Sequence, residues 1–547
     1  MKKIVSNFSY RHILLAMLCI SFWTNGGCNK TSTAATEDTK TVAAGMTLSL
    51  LRNTRVNENT IYSTTDYGGG NWRYDPADHS SDDNTGTVLV TKYGQRLKRT
   101  DQGPLNVKWF GAAGDNSTDE TDAFNKTLAA AHEKNAGIYI PAGIYRCNQV
   151  DEYKHILHLD AGGTSNITMS GDGIQSRITS GVTGGSILLF ISAYSKCNNL
   201  LIKNIFFEST HGVTTNYNQG VFIQGTKGEN FKNIKITTCR FEGFSTALAG
   251  QGMDGAEISG NQFNAPKGHD NAMNNTSPAV FIWLFDNTNG YCSHVQVLNN
   301  TGNGYSGNAP VNTLATKRAM DGLIVASGYG FVISGNKTKN FSEEHITISI
   351  PVTFPNTTEQ TIITANEIDC SIPKGSVSQD GQPHTGNYGI RCDAGHSSIT
   401  KNTILNFSNG ILVRTYDFPS VKENDFTIAG NRLISDKDQC NCLVSRGISV
   451  QGSMKIRLNN VDITENQVTM GNSQTENSFS GIMVYDTDNC SVQNNTIAVR
   501  NLVRNKQGSG FGISYGRVGN VVNKKNSITG ITPYHVLSNA DQVSFSN

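Results

Sequence analysis

Ile258-Ser259-Gly260-Asn261-Gln262-Phe263 is one copy of a phrase, aliphatic-x-x-Asn-x-apolar, that recurs down most of the chain. Other copies place Val297 before Asn300, Ile333 before Asn336, Ile363 before Asn366 and Ile399 before Asn402. Ile428 with Asn431, Ile463 with Asn466 and Val492 with Asn495 bring the set to eight. Successive Asn residues stand 39, 36, 30, 36, 29, 35 and 29 residues apart. A period of that size marks a solenoid, whose units bury their apolar faces only by stacking on one another.

The unit is built from strands. Between Asn phrases lies a second stretch of the form Gly-apolar-x-apolar, as in Gly322-Leu323-Ile324-Val325, Gly389-Ile390-Arg391-Cys392 and Gly410-Ile411-Leu412-Val413. Gly447-Ile448-Ser449-Val450, Gly481-Ile482-Met483-Val484 and Gly512-Ile513-Ser514-Tyr515 continue it. Period-two alternation with β-branched residues predicts half-buried strands. Asn after a strand suits a turn, and stacked Asn side chains can form a ladder. The expected fold is all-β: a single-stranded right-handed parallel β-helix of about a dozen coils.

Composition agrees. Gly is abundant at 55 and Pro scarce at 12, and the formal net charge of +1 carries no global field toward nucleic acid or membrane lipid. Lys2 and Lys3 precede an apolar run from Ile13 to Trp23, too short to span a bilayer, followed by Gly26-Gly27-Cys28 and a polar stretch. This resembles a bacterial lipoprotein leader with Cys28 as the lipidated residue, although Asn25 stands where an aliphatic residue is usual. The implied location is outside the cytoplasm, as an outer-membrane or cell-surface lipoprotein or as a periplasmic protein. Nine Cys remain after Cys19 and Cys28, none with the CxxC spacing of a zinc site, so they read as small core residues.

Asn106 to Asp115, reading NVKWFGAAGD, leads through Asn116 to Asp122 into an amphipathic helix with Ala123, Phe124, Leu128 and Ala131 on one face. Thr118 or Asp119 is the expected cap. Ala136-Gly137-Ile138-Tyr139-Ile140-Pro141-Ala142-Gly143-Ile144-Tyr145 then gives strand, turn and strand. This opening resembles that of the pectate lyase superfamily, the group that includes glycoside-hydrolase family 28-related proteins. The resemblance implies that the helix plugs the N-terminal end of the β-helix. Upstream, Asp66 to Asp75, with Gly68-Gly69-Gly70, looks like a small β module that precedes this opening in phage tailspike-like proteins. The expected domains are a leader at 1–28, a polar tether at 29–45, the β module at 46–104, the β-helix at 105–530 and a C-terminal tail at 531–547.

Neighbouring coils lie ~4.8 Å apart, so aligning coils on the strand Gly predicts which residues share a surface. With His345-Ile346-Thr347-Ile348 set in the same slots, the position before the Gly reads Asp321, Glu344, Tyr388, Asn409 and Arg446. The outward slot reads Ile324, Thr347, Arg391, Leu412 and Ser449, and the next slot Ala326, Ser349, Asp393, Arg414 and Gln451. Ionisable residues thus gather on one wall: Arg318, Asp321, Glu343, Glu344, His345, Tyr388, Arg391, Asp393, Arg414 and Arg446. Trp283 is expected in a loop one coil earlier, as a platform for a sugar ring.

Such a wall suits β-elimination on a uronic-acid polysaccharide. Arg391, Arg414 or a bound Ca²⁺ would neutralise the substrate carboxylate, and His345 or Tyr388 would remove the proton beside it. No compact acidic motif declares a metal site. Glycoside hydrolysis is the alternative, with Asp321 and Glu344 as its two carboxyl groups. The Asn-Thr-Asp, Asp-Asp and Gly-His-Gly signature of family 28 hydrolases is absent. A non-catalytic glycan-binding β-helix is the third reading. In each case the partner is a polysaccharide, with no nucleic acid, membrane contact only through a lipid, and a monomeric chain.

Overall fold

The computed structural model describes residues 41–546 apart from 194, 211–217, 226–230, 266–279, 286–291, 305–320, 342, 350–358, 372–387, 416–423, 436–443, 454, 472–477, 501–509 and 537–541. The leader, Cys28 and Arg318 lie outside the described residues.

The chain from Leu105 onward winds into one right-handed parallel β-helix. Each coil contributes a strand to three walls. In one coil these are Tyr388–Cys392 (first wall), Ser397–Thr400 (second wall) and Thr403–Leu405 (third wall). Every strand pairs in parallel with its counterpart one coil away, as Ile346, Ile390, Ile411 and Ile448 do on the first wall. The expected tail from 531 instead extends the stack. Strands Thr532–Val536 and Gln542–Ser546 pair in parallel with the coil before them.

The Asn phrases form the turn between the second and third walls. Asn261 donates through its backbone and side-chain nitrogens to Asn300 Oδ1 at 2.9 and 3.0 Å. The same pair of bonds links Asn300 to Asn336, Asn336 to Asn366 and onward to Asn495. Asn526 adds a rung, and Cys239 N donates to Asn261 Oδ1 at the other end. Each side chain also donates to a backbone carbonyl of the preceding coil, so these buried amides have no orphaned donor.

The Gly of the first-wall strand has a packing cause. A Cβ at Gly389, Gly410, Gly447, Gly481 or Gly512 would lie 2.3–2.6 Å from the third-wall aliphatics Ile404, Leu433, Val468, Ile497 or Ile528. Where that inward slot holds a larger residue, the third wall shrinks: Leu323 packs toward Gly302, and His345 toward Thr338. The coil 322–329 is therefore shifted by one residue from the expected register. Ile324 pairs with Ile346 and Val325 with Thr347, so Ile324 points inward and Gly322, not Asp321, heads the Glu344 column.

At the N-terminal end the helix Thr121–Lys134 seals the core through Phe124, Leu128 and Ala131. Its cap position is Glu120 rather than Thr118 or Asp119. The buried Glu120 carboxylate accepts from Ala113 N and Gly114 N at 2.9 and 3.0 Å, tying the entry loop to the helix. Asp119 accepts from Thr121 N at 3.0 Å. The upstream module is a five-stranded sheet that begins at Thr41, and Gly68 and Gly69 lie in the turn between its strands Thr60–Thr64 and Gly70–Tyr74. Arg99 lies 4.5 Å from the rings of both Trp72 and Trp109, joining the module to the helix opening.

Candidate active site

Three outward columns meet on the first wall. The column at the strand start holds Glu344, Tyr388, Asn409 and Arg446. The middle column holds Trp283, Val325, Thr347, Arg391 and Leu412. Arg414 heads outward at the end of the next strand, in register with Gln451.

Arg391 organises the centre. Its Nη1 donates to Glu344 Oε1 at 3.0 Å and its Nη2 to Asp393 Oδ2 at 2.8 Å. Arg414 Nε stands 3.6 Å from Asp393 Oδ1. The Asp393 side chain is fully covered, whereas Arg391, Glu344 and Arg414 keep 15, 21 and 34 % of theirs exposed. Burial pushes the Asp393 carboxyl up, and the hydrogen bonds and charges of Arg391 and Arg414 oppose this. Burial also works against the Arg391 charge, but Asp393 and Glu344 hold its guanidinium above its ordinary value. The result is a fixed cation flanked by two engaged carboxylates, with half-buried Tyr388 three positions before Arg391 on the same strand.

Several expected residues take other places. His345 is sealed in the core, because it fills the slot that Gly occupies in other coils. Its Nδ1 lies 2.7 Å from Thr338 Oγ1, and Phe341 packs edge-on at 5.0 Å. Burial pulls its pKa down to about 3. It cannot meet a substrate, so it is not the base. Asp321 stands beside Glu343, which donates its N–H to Asp321 O at 3.1 Å, and not beside Glu344. The same-column carboxyl pair Asp321–Glu344 therefore does not exist.

Trp283 is on the strand Val280–Leu284, not in a loop, and faces outward in the Arg391 column, three coils or ~14 Å away. It packs on Phe285 at 4.6 Å, which in turn meets Phe222 at 5.8 Å. Phe222 and Phe285 escaped the sequence reading. The signal was there, since Gly220-Val221-Phe222-Ile223 repeats the strand formula with Phe in the outward slot.

Among the described residues, no group of three or more His, Cys, Asp or Glu is placed to hold a metal ion. The two carboxylates of the cluster are engaged by guanidinium, so these residues do not fit a Ca²⁺ ion.

Residues 46–102 match the family model described as the phage tail protein small four-stranded beta-sheet domain. Alginate lyase 7 of Azotobacter vinelandii is 26% identical over 146 residues, 25% of this chain and 16% of that protein. The chain thus matches about one sixth of that relative's length. The crystal structure of PfbA, a surface adhesin of Streptococcus pneumoniae, superposes with a TM-score of 0.50 at 14% identity, covering 77% of this chain and 92% of that one. The A-module of mannuronan C-5 epimerase AlgE6 from Azotobacter vinelandii gives 0.44 at 16% identity, covering 80% and 97%. The structural likeness is one of fold. That fold is the one the resemblance to the pectate lyase superfamily implies, and proteins similar to this chain include enzymes that modify carbohydrates.

Proposed function

We propose that this chain cleaves an acidic, uronic-acid-containing polysaccharide by β-elimination along the first wall. One observation carries the reading: Tyr388, Arg391 and Arg414 lie on two adjacent first-wall strands, and both guanidinium groups stand against Asp393. Arg414, the more exposed cation, receives the substrate carboxylate. Arg391, held by Glu344 and Asp393, supplies a fixed positive field that favours the enolate as charge builds on it. The Tyr388 side chain, reacting as its phenolate, takes the proton alpha to the carboxylate. The electron pair of that C–H bond forms the new double bond, and the glycosidic oxygen leaves with its electrons and takes up the proton now held on the Tyr388 hydroxyl.

Trp283 and Phe285 extend the face along the axis and suit the apolar faces of sugar rings. The likeness to an alginate lyase supports a uronate polymer as the substrate class. Hydrolysis is less well served, because Asp393 is covered and engaged by Arg391. The lipoprotein-like leader supports an exported enzyme tethered through Cys28.

The test is incubation with alginate, pectate and glycosaminoglycans, following both ultraviolet absorbance of unsaturated uronate and new reducing ends. Both signals rising together is the expected result. Reducing ends without absorbance mean hydrolysis, and neither signal leaves only binding.

A further inference from the structure

The third wall carries a concavity of its own, away from the arginine cluster. Its outer face forms a groove of about 630 Å³, within the ~300–1,000 Å³ of small-molecule sites. One column of the floor runs Asn264, Asn303, Lys339 and Asp369, and the next contributes Lys337 and Glu367. Two ammonium groups and two carboxylates cancel in charge. Amides complete a surface rich in donors and acceptors, repeated every ~4.8 Å along the axis. The floor is braced in advance: buried Asn300, Asn336 and Asn366 immediately precede its outer residues, Asn340 donates to Asn303 at 2.8 Å, and Asn406 donates to Asp369 at 2.9 Å. Groups already ordered before binding lose little entropy when a ligand arrives.

We infer that this groove is a second glycan site, which takes a hydroxyl-rich oligosaccharide strand along the solenoid axis and requires no carboxylate on it. A balanced floor gives a polyanion no net attraction, and Leu405 with the lysine stems adds apolar surface that suits the CH faces of a sugar ring. Repeated donors and acceptors along an open groove match a polymer of vicinal diols. The site is independent of the chemistry proposed for the first wall.

The test is calorimetric titration of the full chain carrying Tyr388→Phe, which keeps any cleavable probe intact. The probes are a neutral tetrasaccharide, β-1,4-mannotetraose, and its uronate counterpart, tetramannuronate. The neutral probe is expected to bind. Adding Lys339→Met or Asn264→Ala should weaken that binding by about tenfold or more, and adding Arg414→Ala should leave it within about twofold. Unchanged melting temperatures will show that these surface variants fold. No heat from the neutral probe, affinity unmoved by Lys339→Met and Asn264→Ala, or affinity lost with Arg414→Ala would each overturn the site. Failure of the elimination assay leaves this measurement intact.

Discussion

The first and third walls have the same backbone spacing and treat charge in opposite ways. On the first, Arg391 draws Asp393 and Glu344 into a cluster in which the Asp393 side chain is wholly covered. On the third, Lys337 and Glu367 pair at 3.0 Å with side chains 62 and 61 % exposed. The contrast shows that a β-helix supplies position, while local covering decides what a charge is worth. A covered cluster fixes a field at one point, and an exposed pair yields readily to water, salt or ligand.

The sharpest way to break this contrast is to empty its covered side. Arg391→Met should lower turnover by ~10³-fold, as loss of a transition-state charge donor does. It should also destabilise the fold by about 3–5 kcal/mol, because a buried carboxylate is left with Arg414 alone. The double variant Arg391→Met/Asp393→Leu should recover most of that stability and none of the turnover. Chemical denaturation and an elimination assay on the same samples separate the two effects. Near-normal turnover in the single variant would remove Arg391 from the mechanism. A double variant no more stable than the single one would show that the buried carboxylate was not the cause.

The same strands test inside against outside. His345 stays neutral in the core, with a folded pKa of about 3 against ~6.5 when unfolded. The unfolded state therefore binds the extra proton between these values. The stability this residue contributes is complete above pH ~6.5 and is lost as pH falls toward 3, on the order of 5 kcal/mol in all. His345→Leu, which mimics Leu323 in the same slot, should flatten that acid limb and leave turnover at neutral pH unchanged. A variant that folds normally but has lost turnover would return His345 to the site.

His345 also shows how far the residues alone could be read. The Asn phrases and strand glycines made the solenoid, the Asn ladder and the Tyr388, Arg391, Asp393 and Arg414 columns legible, because their spacing is the fold. Aligning His345 to a Gly slot already implied an inward side chain, but a histidine among charges was read as chemistry. The slip at Asp321 has a related cause. Gly322 looks like the other strand glycines, and only the three-dimensional match of Leu323 with Gly302 shows that Leu323 holds their slot. Size complementarity between walls far apart in sequence leaves no local pattern. Nor does a groove such as the one beside Lys339, whose shape depends on several coils at once.

The brace behind the third wall gives a smaller effect. Asn366 donates to Ile333 O and Asn402 Oδ1, each at 2.9 Å, and accepts from Asn336. Asn366→Ala strands these buried partners and should cost about 3 kcal/mol. Asn526→Ala, at a half-buried terminal rung, should cost less than half as much. Thermal melts of both variants check the order, and equal losses would mean that burial does not set the worth of a rung.

The smallest expected effect lies on the exposed pair itself. Glu367→Gln removes the partner of Lys337 while keeping the size and polarity of the side chain. Both groups are mostly in water, so the stability change should stay within ~0.5 kcal/mol and shrink further at high salt. Measured beside Arg391→Met, it sets the two walls on one scale: the same kind of ion pair, nearly silent where solvent reaches it and costly to break where it does not. A loss above ~2 kcal/mol from Glu367→Gln would mean that the third wall holds its charges as tightly as the first, and the contrast between the two faces would collapse.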